Sequence, residues 1–116
     1  MDLKGKFVYI SGPIAGEPGY RARFAEAAAV LRAMGADVFD PSVLAVQFPS
    51  WLPEDFMCYD LDVLTGNTVP KGGDLRRCVD LLVSLDGWEA SKGARIERIV
   101  ADACGIRAVD YGKAVM

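Results

Sequence analysis

The chain has 116 residues, 52% of them hydrophobic and 25% charged, with a formal net charge of −3. That balance excludes a disordered polymer, and the scattered basic residues leave no electrostatic footprint for duplex DNA or RNA. Histidine is absent, which removes the commonest general base, any Ser-His triad and the usual zinc ligand sets.

No apolar run approaches the roughly 18 residues of a membrane span. "MDLKG" leads directly into a strand-like run, so no secretory signal is expected. The cysteines are Cys58, Cys78 and Cys104, an odd number without a C-x-x-C pair. They are expected as buried or half-buried thiols in a reducing cytoplasm. The length suits one compact domain, residues 1–116, too small to cover both faces of a sheet deeply, so dimerisation is the default expectation.

In chain order, "KFVYI" (6–10) predicts a short buried strand and "SGPIAGEPG" (11–19) a loop. Phe24, Ala27, Ala28, Leu31 and Met34 recur at helical spacing, and Gly35 stands where a helix-terminating glycine belongs. "ADVFD" (36–40) is the next strand, so a parallel β-α-β unit is expected. Residues 41–52 read as irregular, and Pro53 opens a helix to about Leu64, with Phe56, Tyr59 or Asp60, and Val63 on one face. "TGNTVPKGG" (65–73) reads as a loop and "DLRRC" (74–78) as a helical turn. "VDLLVSL" (79–85) has the apolar continuity of a central parallel strand. A helix follows from Lys92 to Cys104, with Ile96, Ile99, Val100 and Ala103 as its expected buried stripe, and "IRAVDY" (106–111) is the last strand. This alternation predicts an α/β fold with an open, mostly parallel sheet of four to five strands and helices on both faces. Ligands in such folds bind beyond the carboxyl ends of the strands, which singles out loops 11–19, 41–52 and 86–91.

"SGPIAG" is either a nucleotide-binding turn or a plain tight turn eased by Gly12 and Gly16; it matches neither G-x-G-x-x-G nor G-x-x-x-x-G-K-[ST]. Ser91 precedes the later helix, where a serine caps; with Gly93 and Ala94 it also makes an anion seat. Ala94 occupies the position that a capping box reserves for Glu or Gln, so Glu97 is not a capping residue. Side chains on a helix lean toward its N-terminus, so Glu97 reaches back over Gly93 toward the strand ends. Its flank of Gly93, Ala94, Ala101 and Cys104 is small, and Arg95 and Arg98 read as the solvent face. The alternative is a surface glutamate paired along its own helix. Asp60, Asp62, Asp80 and Asp86 are each candidates for a second carboxylate, and spacing does not choose among them. Paired carboxylates cleave bonds at anomeric carbons. Tyr9, Trp51, Tyr59 and Trp88 suit either core packing or stacking on a base or sugar, with Trp88 the best placed for stacking.

The ordered set "VYISGPIAG", "VFDP", "W…M…DL…L" and "CVDLLVSLDGWEASKGARIE" resembles the nucleoside 2-deoxyribosyltransferase-like superfamily, and is closest to its small members called domain of unknown function 4406. The resemblance spans roughly residues 6–110. It implies a flavodoxin-like Rossmann sheet, usually in a homodimer, that cleaves the base-sugar bond of a nucleoside or deoxynucleotide 5′-monophosphate by hydrolysis or base exchange, without cofactor or metal. It makes Glu97 the nucleophile and Asp60 its helper, places Ser91 at the 5′-phosphate, and lines the base and sugar side with Gly12, Ile14 and Gly16. Relatives that use nucleotides often carry an arginine after the isoleucine, where this chain has Ala15; Arg21 or Lys92 is left to take its place. About a dozen residues near 65–76 are inserted relative to the family pattern. An inactive nucleotide-binding or sensing module is the alternative, and an inherited fold serving a protein partner is a third.

Overall fold

The computed structural model describes residues 1–66 and 79–116. The expected loop beyond Gly66, the turn at 74–78, the inserted stretch and Cys78 therefore lie outside the described residues. Four strands form one parallel sheet: β1 (Phe7–Ser11), β2 (Asp37–Phe39), β3 (Leu81–Ser84) and β4 (Arg107–Asp110), in the spatial order β2-β1-β3-β4. Three long helices connect them, α1 (Tyr20–Ala33), α3 (Pro53–Leu64) and α4 (Lys92–Ala103). This is the flavodoxin-like arrangement, whose switch point lies between β1 and β3.

Alternation along β1 assigns the two faces. Val8 and Ile10 pack with Phe24 and Leu31 of α1 and with Leu81 and Val83 of β3. Phe7 and Tyr9 face the other way, against Val63 and Leu64 of α3, Leu82 of β3 and Ala101 of α4. The helices thus divide between the two faces, and α3 and α4 share the one toward which Tyr9 and Ser11 point. Asp80 settles the opposite end of the sheet: its Oδ2 accepts from the Phe7 N–H at 2.7 Å.

Several boundaries differ from the sequence expectations. Residues 41–52 are not wholly irregular, because Pro41–Val43 form a 3-10 turn that runs into α2 (Leu44–Gln47). The Asp40 carboxylate starts that turn, accepting from the Ser42 N–H at 2.9 Å and the Ser42 hydroxyl at 2.6 Å. The last strand stops at Asp110, and Tyr111 opens a short helix, α5 (Tyr111–Ala114), that packs on the α1 face. Pro53 is the first residue of α3, and the Asp55 carboxylate reaches back to accept from the Leu52 N–H at 2.8 Å.

The buried stripe of α4 is a correction. Ala94, Glu97 and Ala101 point inward, Ile96 and Val100 are half-buried, and Ile99 and Ala103 are exposed. Both readings have helical period; the small residues win because α4 lies close over the sheet and glutamate has partners there. The two described cysteines, Cys58 and Cys104, are free and exposed, where buried or half-buried thiols were expected. Cys104 ends α4 in solvent and does not line the niche around Glu97.

Candidate active site

Beyond the carboxyl ends of β1 and β3 lies a cavity of about 420 Å³, within the usual range for a small-molecule site. Gly12, Ile14 and Ala15 line it from the loop after β1, and Pro41, Ser42 and Ala45 from the turn after β2. The first turns of α3 contribute Pro53, Phe56, Met57 and Asp60; the start of α4 contributes Ser91 to Ala94 and then Glu97. Most of this wall is apolar, and the two carboxylates are its principal polar groups.

Glu97 is 5% exposed. Its Oε1 accepts from the Ser11 hydroxyl at 2.8 Å, and its Oε2 accepts from the Tyr9 hydroxyl. Tyr9 and Ser11 are two residues apart on β1, so both hydroxyls rise from one face of the strand and meet the helix above. Burial drives the carboxyl up from 4.5 to about 7, against the two hydroxyl donors, which favour the charged form and pull it down. The Tyr9 hydroxyl is held well above its ordinary value, first by burial and then by the negative charge of Glu97.

Asp60 is 8% exposed, and its Oδ1 has no hydrogen-bond partner. Burial, and next the charge of Glu97, push it from 3.8 to about 8. A buried carboxyl oxygen without a partner is costly, and this one borders an open cavity. Near neutral pH the pair favours a protonated Asp60 beside a Glu97 close to its own midpoint. The other aspartates do not reach the cavity: Asp62 is exposed on α3, Asp80 lies at the amino end of β3, and Asp86 borders a separate cavity of about 220 Å³ with Arg23 and Tyr111.

Ser91 lines the cavity and also caps α4, its Oγ accepting from the Ala94 N–H at 3.3 Å. The capping reading of this serine holds, and the cap stands at the cavity wall. Gly93 also lines the cavity; a methyl there would stand 3.2 Å from the Met57 Cε. Gly12 is needed for close approach, because a Cβ would fall 2.9 Å from the Leu85 Cβ. Lys92 borders the cavity and Arg21 does not; its guanidinium lies over the Tyr20 ring instead.

Three expected positions move. Gly16 takes a left-handed conformation, φ 74, in an exposed turn and does not line the cavity. Tyr9 is fully buried, with its ring 5.2 Å from Phe39, so it is unavailable for stacking on a ligand and acts on Glu97 through its hydroxyl. Trp88 faces away from the cavity. The Arg98 guanidinium covers its ring at 4.3 Å, and its Nε1 donates to Asp110 at 3.2 Å. Arg98 also donates to the Ser84 hydroxyl and to Asp110, each at 3.0 Å, so it is a strand-to-helix clasp and not free solvent face. Ser11 joins the site because β1 runs one residue past the expected end at Ile10, and its two-residue offset from Tyr9 puts it on the same face.

The fold and the cavity define an open α/β protein with a carboxylate pair at its switch point. Residues 6–110 match the family described as Domain of unknown function (DUF4406), and the chain belongs to that family. Among curated proteins and among solved structures, no match is found.

Proposed function

We propose that the protein is an N-glycosidase that cleaves the base-sugar bond of a nucleoside or (deoxy)nucleoside 5′-monophosphate. The observation that carries this reading is the buried pair itself: Glu97, fixed by two hydroxyl donors, beside Asp60, whose Oδ1 is unpartnered at the same cavity. The likeness of "SGPIAG" and "GWEASKGARIE" to nucleoside 2-deoxyribosyltransferase-like proteins supports the same assignment.

In this mechanism the Glu97 carboxylate attacks C1′ of the sugar. A C1′–O bond forms, the C1′–N bond breaks, and its electron pair leaves with the base. Asp60, protonated at neutral pH, supplies the proton to the departing nitrogen. The Asp60 carboxylate then removes a proton from water or from an incoming base, which attacks C1′ and releases Glu97. Ser91, Lys92 and the first amides of α4 receive the 5′ end of the sugar. Burial serves both steps, keeping Asp60 an acid and Glu97 poorly solvated.

The reading makes the working unit a homodimer or a higher homo-oligomer and places it in the cytoplasm, where exposed thiols such as Cys58 and Cys104 stay reduced. Incubation with a panel of nucleosides and 5′-monophosphates, with free base measured by chromatography, tests the activity. Release of base that Glu97→Ala abolishes is the expected result. Thermal stabilisation by a nucleotide with no base released from any substrate overturns catalysis in favour of a binding module.

A further inference from the structure

The outward face of α4 is at odds with the rest of the helix. Ile96, Ile99 and Ala103 fall within about 60° of one another around the axis, and Ile99 is 67% exposed. Arg95 and Asp102 lie together along one flank of this stripe, both exposed. Neither forms an ion pair among the described residues, where the arginine pairs are Arg23 with Glu17 and Arg98 with Asp110. An isoleucine so exposed, with opposite charges on either side of it along the axis, is self-complementary in one arrangement.

We infer that α4 is the contact between two copies of this chain, packed antiparallel about a two-fold axis at Ile99. The axis brings Ile99 against its symmetry mate and Ile96 toward the partner's Ala103. Arg95 precedes Ile99 by four residues and Asp102 follows it by three, so they stand about 6 Å and 4.5 Å from the axis along the helix. A two-fold perpendicular to both helices keeps a flank on its own side and reverses its direction. Each Arg95 therefore comes level with the partner's Asp102, to within about 1.5 Å along the axis, and the ion pair forms twice. A parallel pairing, whose two-fold runs along the helices, carries the charged flank of each copy to opposite sides of the seam, so no Arg95–Asp102 pair forms. The interface is isologous, so it closes at two copies. Lys92, which borders the cavity, lies on the same outward line, so the contact ends close to the cavity mouth.

This rests on the oligomeric reading above and is independent of the chemistry, since mass is measured without substrate. Sedimentation equilibrium of the full chain, with circular dichroism to check folding, is the experiment. A dimer is expected. Ile99→Glu is expected to weaken it by at least about 30-fold, as for a central anchor. Arg95→Asp alone is expected to weaken it about 3- to 10-fold, and Arg95→Asp with Asp102→Arg to restore it. If Ile99→Glu fails to fold, the charge exchange, confined to solvated residues, still decides. An oligomer unchanged by all these variants overturns the α4 contact but leaves the oligomer standing. A wild-type monomer at every concentration overturns both.

Discussion

Replacing Glu97 by glutamine separates the cost of the buried carboxylate from its usefulness. The folded-state value is raised, from 4.5 to about 7, so between these values the native chain holds a proton that the unfolded chain has released. Stability from this group is then greatest at acid pH and falls as pH rises. At about 1.36 kcal/mol per pH unit, the penalty is about 1 kcal/mol at pH 5 and about 3 kcal/mol at pH 8. Glutamine removes it and also removes the negative charge that helps push up Asp60. Against this stands the rearrangement of the Tyr9 and Ser11 hydrogen bonds, which costs about 1 kcal/mol. The net expectation is little change at pH 5 and a gain of about 2 kcal/mol at pH 8. For a chain of this size that is about 8 °C in Tm at the higher pH. Differential scanning calorimetry of both proteins at the two pH values reads it directly. An equal shift at both pH values, or a loss of stability at both, would refute a destabilising buried charge at this position.

Other consequences can be checked separately. Base release requires ionised Glu97 and protonated Asp60, so its rate should rise through about pH 7 and fall above about pH 8; Ser11→Ala, by removing a donor to the carboxylate, should move the rising limb upward in a pH-rate profile. Gly12→Ala places a methyl 2.9 Å from the Leu85 Cβ and should cost about 1–3 kcal/mol in a urea unfolding titration. Trp88→Ala should lower Tm through loss of the Arg98 stack while leaving KM unchanged, because the ring faces away from the cavity; a large rise in KM would return Trp88 to the ligand.

The four strands and three long helices are legible because each carries a local pattern with a stop: Gly35 after α1, Pro53 before α3 and Gly105 after α4. Glu97 was legible through its small neighbours and Ser91 through its capping position. Much else depended on contacts far apart in the chain. Ser11 was obscured by a one-residue strand boundary. The two faces of α4 both have helical period, and the isoleucine face is the more hydrophobic, yet the inward line is Ala94, Glu97 and Ala101, with Val100 packed at its edge. Trp88 could be placed only once Arg98 and Asp110 had positions. Asp60 differs from Asp62 by which way its helix face turns, and from Asp80 and Asp86 by the end or side of the sheet on which they lie, and spacing alone leaves both open. Residues 41–47 form short turns because Asp40, Pro41, Ser42 and Leu44 are buried, a tertiary cause with little local signature.

The aromatic rings behind the cavity have an optical consequence. Tyr9, Phe39, Tyr59 and Trp51 follow one another with centroids 5.2, 6.4 and 5.7 Å apart. Trp51 stacks on Phe48 at 4.2 Å and touches the cavity wall through Phe56 at 5.4 Å. The other tryptophan, Trp88, is shielded under Arg98 away from the cavity. Trp51 is the acceptor for excitation of the tyrosines in this chain of rings, and an occupant that displaced Phe56 would change its surroundings. The chain thus carries its own emission reporter for whatever enters the site, and a Trp88→Phe background leaves that reporter as the single indole signal.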